Sequence, residues 1–250
     1  MTYLTFCSTS GLADRYAKAI QNIADAERDA QVTAGSTKLI VVSKTHPAEL
    51  VLELMQLGSS DFGENRDQEA SPKAAAVAQS VAEARANQTF SGPDAAWHFI
   101  GQLQSNKVKS VLRYASSIHS LDRPSLLKAL VKELATQETK NRLPVFIELN
   151  LTGQPERGGI LPENLIEFAT EVCSHDTLKL EGVMGVAGLD VEPAFDFDRI
   201  RKSSEQLQTI APDAKYISAG MSNDYEIAIR HGATHVRIGT SITGKREYSV

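Results

Sequence analysis

With 250 residues, 42% of them hydrophobic, the chain can bury a sizeable core without staples and suits one large α/β domain or two small ones. Its formal charge of −5, with 26 basic residues scattered and not blocked, gives no footprint for nucleic acid. Cys7 and Cys173 show no CxxC spacing, which argues against a disulfide framework or zinc site and for two buried or inert thiols in a reducing compartment. The N-terminus lacks a leader pattern and no window reaches the length of a membrane span, so the expectation is a cytoplasmic protein with no membrane partner.

In chain order, Leu12, Tyr16, Ile20 and Ile23 recur at helical spacing and predict an amphipathic helix over 11–34, ended by Gly35. Next comes the stretch 39–47, LIVVSKTHP, an apolar run that ends on Ser43, Lys44 and Thr45. Such a run reads as a strand buried on both faces, with Lys44 at its carboxyl end, where parallel α/β folds keep their chemistry. Pro47 opens a helix with Leu50, Val51, Leu54 and Leu57 on one face and Gly58 as its stop.

The unit then repeats. A short strand is expected at 61–63, followed by a polar run and an alanine-rich helix to about 84, irregular at Pro72. The stretch 85–96 has no periodicity and reads as a loop. Strands follow at 97–100, 117–119, 145–149, 180–184, 216–218 and 234–238, separated by helices that start near Ser105, at Asp122 with Pro124, at Pro162 and near 194. Eight strand–helix alternations favour a closed (β/α)8 TIM barrel with an extra N-terminal helix over an open sheet.

In such a barrel the carboxyl ends share one rim: Lys44, Gly63 with Asn65, Gly101 with Gln102, Ser120, Asn150, Gly185, Ser218 with Gly220, and Arg237 with Gly239. Nearly all are glycine, amide, hydroxyl or cation, the makings of a binding mouth. The run ISAGMSND (217–224) enters a helix near Tyr225 through a small-residue turn whose N–H groups and Ser222 hydroxyl make an anion cup, with Gly239 and Thr240 alongside. A partly desolvated lysine near other cations loses basicity and can attack a carbonyl. A ligand carrying an aldehyde and a phosphate fits both poles: pyridoxal 5′-phosphate (PLP) first, a sugar phosphate second.

His98 and His119 lie within strands and read as packed or hydrogen-bonded, since neither sits in a paired metal-ligand spacing. Glu64, Asp67 and Glu69 read as a solvated helix start. No metal site and no catalytic residue is assigned.

The runs VSKTHP, FGEN with QE, WHFIGQLQSNK, IHSLDR, ELN to GGI, EGVM and SAGMSND through VRIGTSITGKREY carry a resemblance over 39–248. The chain resembles the YggS/PROSC family of pyridoxal phosphate homeostasis proteins. That resemblance implies one PLP-binding barrel domain over 1–250, like the barrel half of alanine racemase. It implies a covalent aldimine of the cofactor on Lys44, phosphate contacts at Ser222, Gly239 and Thr240 aided by Ser218 and Gly220, and Arg237 facing the pyridine nitrogen. Asn65 and Asn150 are carried over as pocket lining.

Arg66, Gln102 and Arg157 depart from the family's usual tyrosine, proline and lysine, which touches the rim contacts and leaves the two poles intact. A guanidinium facing the ring keeps its proton, so the ring is a weaker electron sink. Racemases of this type add a second domain, and the barrel uses nearly all of this chain. The resulting expectation is a monomeric PLP carrier that buffers the cofactor or delivers it to PLP-dependent apo-enzymes, with no established turnover of its own. The alternatives are a PLP-dependent racemase or lyase, and a class I aldolase.

Overall fold

The computed structural model describes residues 11–137, 141–154, 157–188 and 191–244, so Cys7, residues 155–156 of the ELN-to-GGI stretch and the 245–248 end of the last family run lie outside it. Eight parallel strands pair in sequence order and close on themselves: β1 (Lys38–Val42), β2 (Asp61–Glu64), β3 (Ala96–Phe99), β4 (Ala115–Leu121), β5 (Leu143–Glu148), β6 (Leu178–Met184), β7 (Tyr216–Ser218) and β8 (His235–Ile238). The closing register sets Ile40 of β1 opposite Arg237 of β8, and Val41 opposite Ile238. This is the expected (β/α)8 barrel. Its strands are short apolar runs because the outer face of each packs under a helix while the inner face fills the barrel; Ile40, Val41, Val145, Ile147 and Val236 are wholly buried.

The outer layer comprises α1 (Leu12–Asp29), α2 (Ala48–Gln56), α3 (Asp67–Ala86), α4 (Val108–Val111), α5 (Pro124–Leu134), α6 (Leu165–Cys173), α7 (Pro193–Gln208), α8 (Tyr225–Arg230) and the single turn α9 (Thr240–Thr243). Among the described residues β8 is followed by the single turn α9, and α1 covers the seam: Arg15 Nε donates to Ile242 O (2.7 Å) and Asn22 Nδ2 to Tyr225 Oη (3.1 Å). α1 stops five residues before the expected end. Its buried Glu27 accepts from the N–H groups of Gly35 and Thr37 (2.8 and 2.7 Å), which folds the following segment back toward β1.

Several expectations are corrected. β4 runs over seven residues where three were expected, because Ser117 and His119 point into a polar barrel interior and hide the apolar signal. α3 runs unbroken through Pro72. Glu64 and Asp67 are buried and not a solvated helix start, since Glu64 closes β2 inside the barrel wall. Of the buried or inert thiol expected at Cys173 the structure has the second: the residue is exposed, and partial desolvation pushes its thiol up, which keeps it protonated. Among the described residues no helix is long and apolar enough to cross a membrane.

Candidate functional site

The two poles of the expected site lie on neighbouring strands at the same end of the barrel. β1 and β8 are parallel and paired, so the turn after Val42, with Lys44, rises beside Gly239, which directly follows β8. A Cβ on Gly239 would lie 3.4 Å from Val42 Cβ. Lys44 itself stands two residues beyond β1 in a tight turn, where Thr45 takes the left-handed conformation at φ 65°. Its side chain is exposed, so the partial desolvation anticipated for its amine is not what the structure has.

The base of that turn is held from below. Ser43 is wholly buried; its N–H donates to Gly63 O (3.1 Å) and its hydroxyl to Glu64 Oε1 (2.8 Å). Lys73 of α3 reaches in to pair with Glu64 Oε1 (2.6 Å) and to donate to Ser43 O (2.8 Å). The residue before Lys44 is therefore fixed by a buried ion pair that neither sequence pattern nor spacing announced.

Across the seam, the β7–α8 and β8–α9 turns form the cup. Gly220, at φ 90°, passes so close beneath α8 that a Cβ there would lie 2.7 Å from Ala228 Cβ and 2.8 Å from Tyr225 Cα, so only glycine permits the turn. Gly220 O accepts from Arg237 N–H (2.9 Å), and Gly239 N–H donates to Ser222 Oγ (3.3 Å), which ties the two turns together. Asp224 caps Met221 N–H at 2.6 Å. The N–H groups of Ser222, Asn223, Thr240 and Ser241 find no acceptor among the described residues, and Thr240 is exposed. This donor set, with Gly220 forcing a tight turn and an amine opposite, fits a ligand that carries both phosphate and aldehyde.

Arg237 lies deeper. It is 4% exposed, donates from Nη1 to Ser218 Oγ (2.8 Å) and from Nη2 to Gly185 O (3.0 Å). Burial pushes its guanidinium down to about 10, opposed by Glu148 and Asp224, so it keeps its charge near neutrality. Ser218 is wholly buried beneath it with its hydroxyl occupied, and thus stands behind Arg237 and away from the mouth of the cup.

Asn150 is 7% exposed and shapes its own loop: its oxygen accepts from Thr152 N–H, Thr152 Oγ1 and Gly153 N–H, each at 3.0 Å, and its amide donates to Gln154 O (2.8 Å). Asn65 is half-buried beside Gly101, where a Cβ would lie 2.4 Å from Asn65 O. Arg66 and Gln102 line a groove of about 460 Å³ between the β2–α3 and β3–α4 loops, and Gln102 approaches Asp122 at 3.5 Å. Arg157 is exposed.

The sequence reading missed Glu148, whose signal was one carboxylate in the apolar run VFIELN. Burial pushes it from 4.5 to about 7, Asp122 adds to the rise, and Arg237 opposes it. A cavity of about 680 Å³ opens at the opposite end, lined by strand-start residues such as Lys38, Asp61, Thr234 and His235. Its charges are already paired, Lys38 with Asp61 (3.0 Å) and Lys179 with Glu181 (2.8 Å), so size alone does not make it the site.

Comparison with known proteins supplies the context. The family described as "Alanine racemase, N-terminal domain" matches residues 18–247. A "Pyridoxal phosphate homeostasis protein" of Mycobacterium tuberculosis is 36% identical over 231 residues, 90% of this chain and 88% of that one. One of the same name from Aquifex aeolicus is 35% identical over 243 residues, covering 94% and 98%. Among solved structures, PipY of Synechococcus elongatus with PLP bound is 29% identical, superposes with a TM-score of 0.76, and covers 93% of this chain and all of that one. Alanine racemase of Corynebacterium glutamicum shares the fold at 12% identity and a TM-score of 0.60, over 95% of this chain and 62% of the enzyme.

Proposed function

Because the chain belongs to the alanine racemase N-terminal domain family, and to the pyridoxal phosphate homeostasis proteins within it, we propose that it binds PLP at the carboxyl rim and buffers or delivers it. The observation that carries this reading is the juxtaposition of the Lys44 turn and the Gly239 turn on paired parallel strands, with Val42 in contact distance of Gly239. When bound, the cofactor supplies an aldehyde for the Lys44 amine and a phosphate for the cup.

The chain's own residues divide the remaining work. Ser222 and Thr240 would hold the anion through backbone N–H groups and hydroxyls, with Gly239, whose N–H is tied to Ser222 Oγ, forming the wall of the cup. Arg237 would face the ring nitrogen of a bound cofactor and, keeping its own proton, would leave that nitrogen without one. Ser218 and Gly220 set the position of Arg237 and of the turn, while Asn65 and Asn150 shape the neighbouring loops. Lys44 stands exposed on its turn, within reach of competing amines, as suits a protein that must give its ligand up to apo-enzymes.

On this reading the chain acts as one cytoplasmic, monomeric binding domain without turnover. Incubating the PLP-loaded protein with single amino-acid enantiomers and following their chirality tests it. No sustained change is expected, whereas steady multiple turnover supports a racemase instead.

A further inference from the structure

The interior of the barrel carries a chain of hydrogen bonds that the cofactor reading does not use. Arg237 Nη1 lies 2.8 Å from Ser218 Oγ, which lies 2.8 Å from His119 Nδ1. His119 Nε2 lies 3.0 Å from His98 Nδ1, and His98 Nε2 lies 2.9 Å from Asp61 Oδ1, at the rim of the opposite cavity. All of these side chains but Asp61 are buried, and His119 stacks on Phe146 with ring centroids 4.3 Å apart.

Proton placement along this path follows from what each end is able to do. Arginine only donates, so Ser218 Oγ accepts from it, and the single Ser218 proton is left for His119 Nδ1. A neutral His119 then carries its proton on Nε2, pointing at His98 Nδ1. Working from the other end, hydrogen bonds from His98, Ser60 and Lys38 overcome burial and hold the Asp61 carboxyl well below its ordinary range, so it accepts and His98 Nε2 donates. In a neutral His98 the other ring nitrogen, Nδ1, is then an acceptor.

The two assignments, made from opposite ends, meet at the His98–His119 contact with one donor and one acceptor. A flipped tautomer at either ring would set donor against donor or acceptor against acceptor at 3.0 Å. Burial, with the Arg237 and Lys38 cations adding to it, keeps His119 neutral, as the scheme requires. Ser117 Oγ lies 2.8 Å from His98 Nδ1 and 3.1 Å from His119 Nε2, so it can donate to the first and accept from the second with the same polarity.

We infer that Ser218, His119, His98 and Asp61 form a one-way hydrogen-bonded chain that fixes the Arg237 guanidinium from behind, making His119 a positioning residue for the group that faces the cofactor ring. Every donor points from Arg237 toward Asp61, so the charged ends of the chain, a cation near one mouth and a carboxylate near the other, polarise each link in the same sense. Because the guanidinium keeps its proton, the chain orients and does not conduct. Its consequence for the cofactor rests on the function proposed above; the chain itself does not.

The test uses the full-length protein labelled with 15N at histidine and arginine, first without cofactor. Both His98 and His119 are expected as the neutral Nε2–H tautomer, and the Arg237 Nη resonances as resolved signals from a guanidinium in slow rotation. An Nδ1–H tautomer or an imidazolium at either histidine overturns the proposal. In Ser218→Ala, the His119 Nδ1 shift should move and the Arg237 signals merge while the His98 tautomer stays; an unmoved Arg237 also overturns it. His119→Phe, which preserves the stack on Phe146, should merge the Arg237 signals equally. With PLP added, both variants should shift the absorption of the bound chromophore by the same amount, and the double variant by no more. Absence of any chromophore in the unaltered protein counts against the cofactor reading, not against the chain.

Discussion

Replacing Lys73 by methionine removes the cation that neutralises Glu64. The pair is 2.6 Å apart with side chains 6% and 1% exposed, and Glu64 Oε2 already lacks a partner, so the carboxylate would be left buried with the Ser43 hydroxyl as its one hydrogen bond. Breaking a buried pair from one side costs about 3–5 kcal/mol, since the stranded charge cannot be rehydrated in place. Ser43 O loses one of its two donors and keeps the His46 N–H at 3.1 Å, so the stranded carboxylate dominates the cost. For a slope of about 3 kcal/mol/M the urea midpoint should fall by about 1–2 M. Converting Glu64 to leucine in the same protein removes the stranded charge, and the double variant should recover about 2 kcal/mol or more of the loss. If the single variant costs less than about 1 kcal/mol, or the double is as poor as the single, the ion pair does not hold the base of the Lys44 turn.

Two further outcomes follow from the same rim. Glu148 has a folded-state value raised from 4.5 to about 7, so between those values the native protein binds the extra proton and stability falls as pH rises through that window. At about 1.36 kcal/mol per unit the loss amounts to about 3 kcal/mol at most, and Glu148→Gln should flatten it, leaving the variant the more stable form at pH 8 in urea titrations. Gly220→Ala must place a Cβ 2.7 Å from Ala228 Cβ at φ 90°, which should cost about 1–3 kcal/mol and weaken capture of inorganic phosphate or PLP measured by calorimetry.

The sequence reveals the barrel because its periodicities survive in most elements: β1 and β5 are continuous apolar runs, and α2 and α5 carry clean apolar faces. It under-reads β4 because the inner face of this barrel is polar, and Ser117 and His119 look like loop residues until the chain closes around them. The cup and the lysine are legible because glycine and small polar residues cluster at strand ends. Glu64 with Lys73, and Ser218 with His119, are not, since they join residues 9 and 99 positions apart and exist only through the fold. The family resemblance put Ser218 beside the phosphate contacts; in the structure its hydroxyl is engaged by Arg237 and His119 inside the barrel.

The central claim is that the exposed amine at position 44 and the Gly239 cup hold one ligand between them. Reducing the protein with borohydride in the presence of PLP, then mapping the labelled peptide, tests it most directly. A single label on Lys44, lost in Lys44→Ala while phosphate-competable binding persists, is the expected result. A label on another lysine, or a Lys44→Ala protein that is labelled as fully as the original, contradicts it.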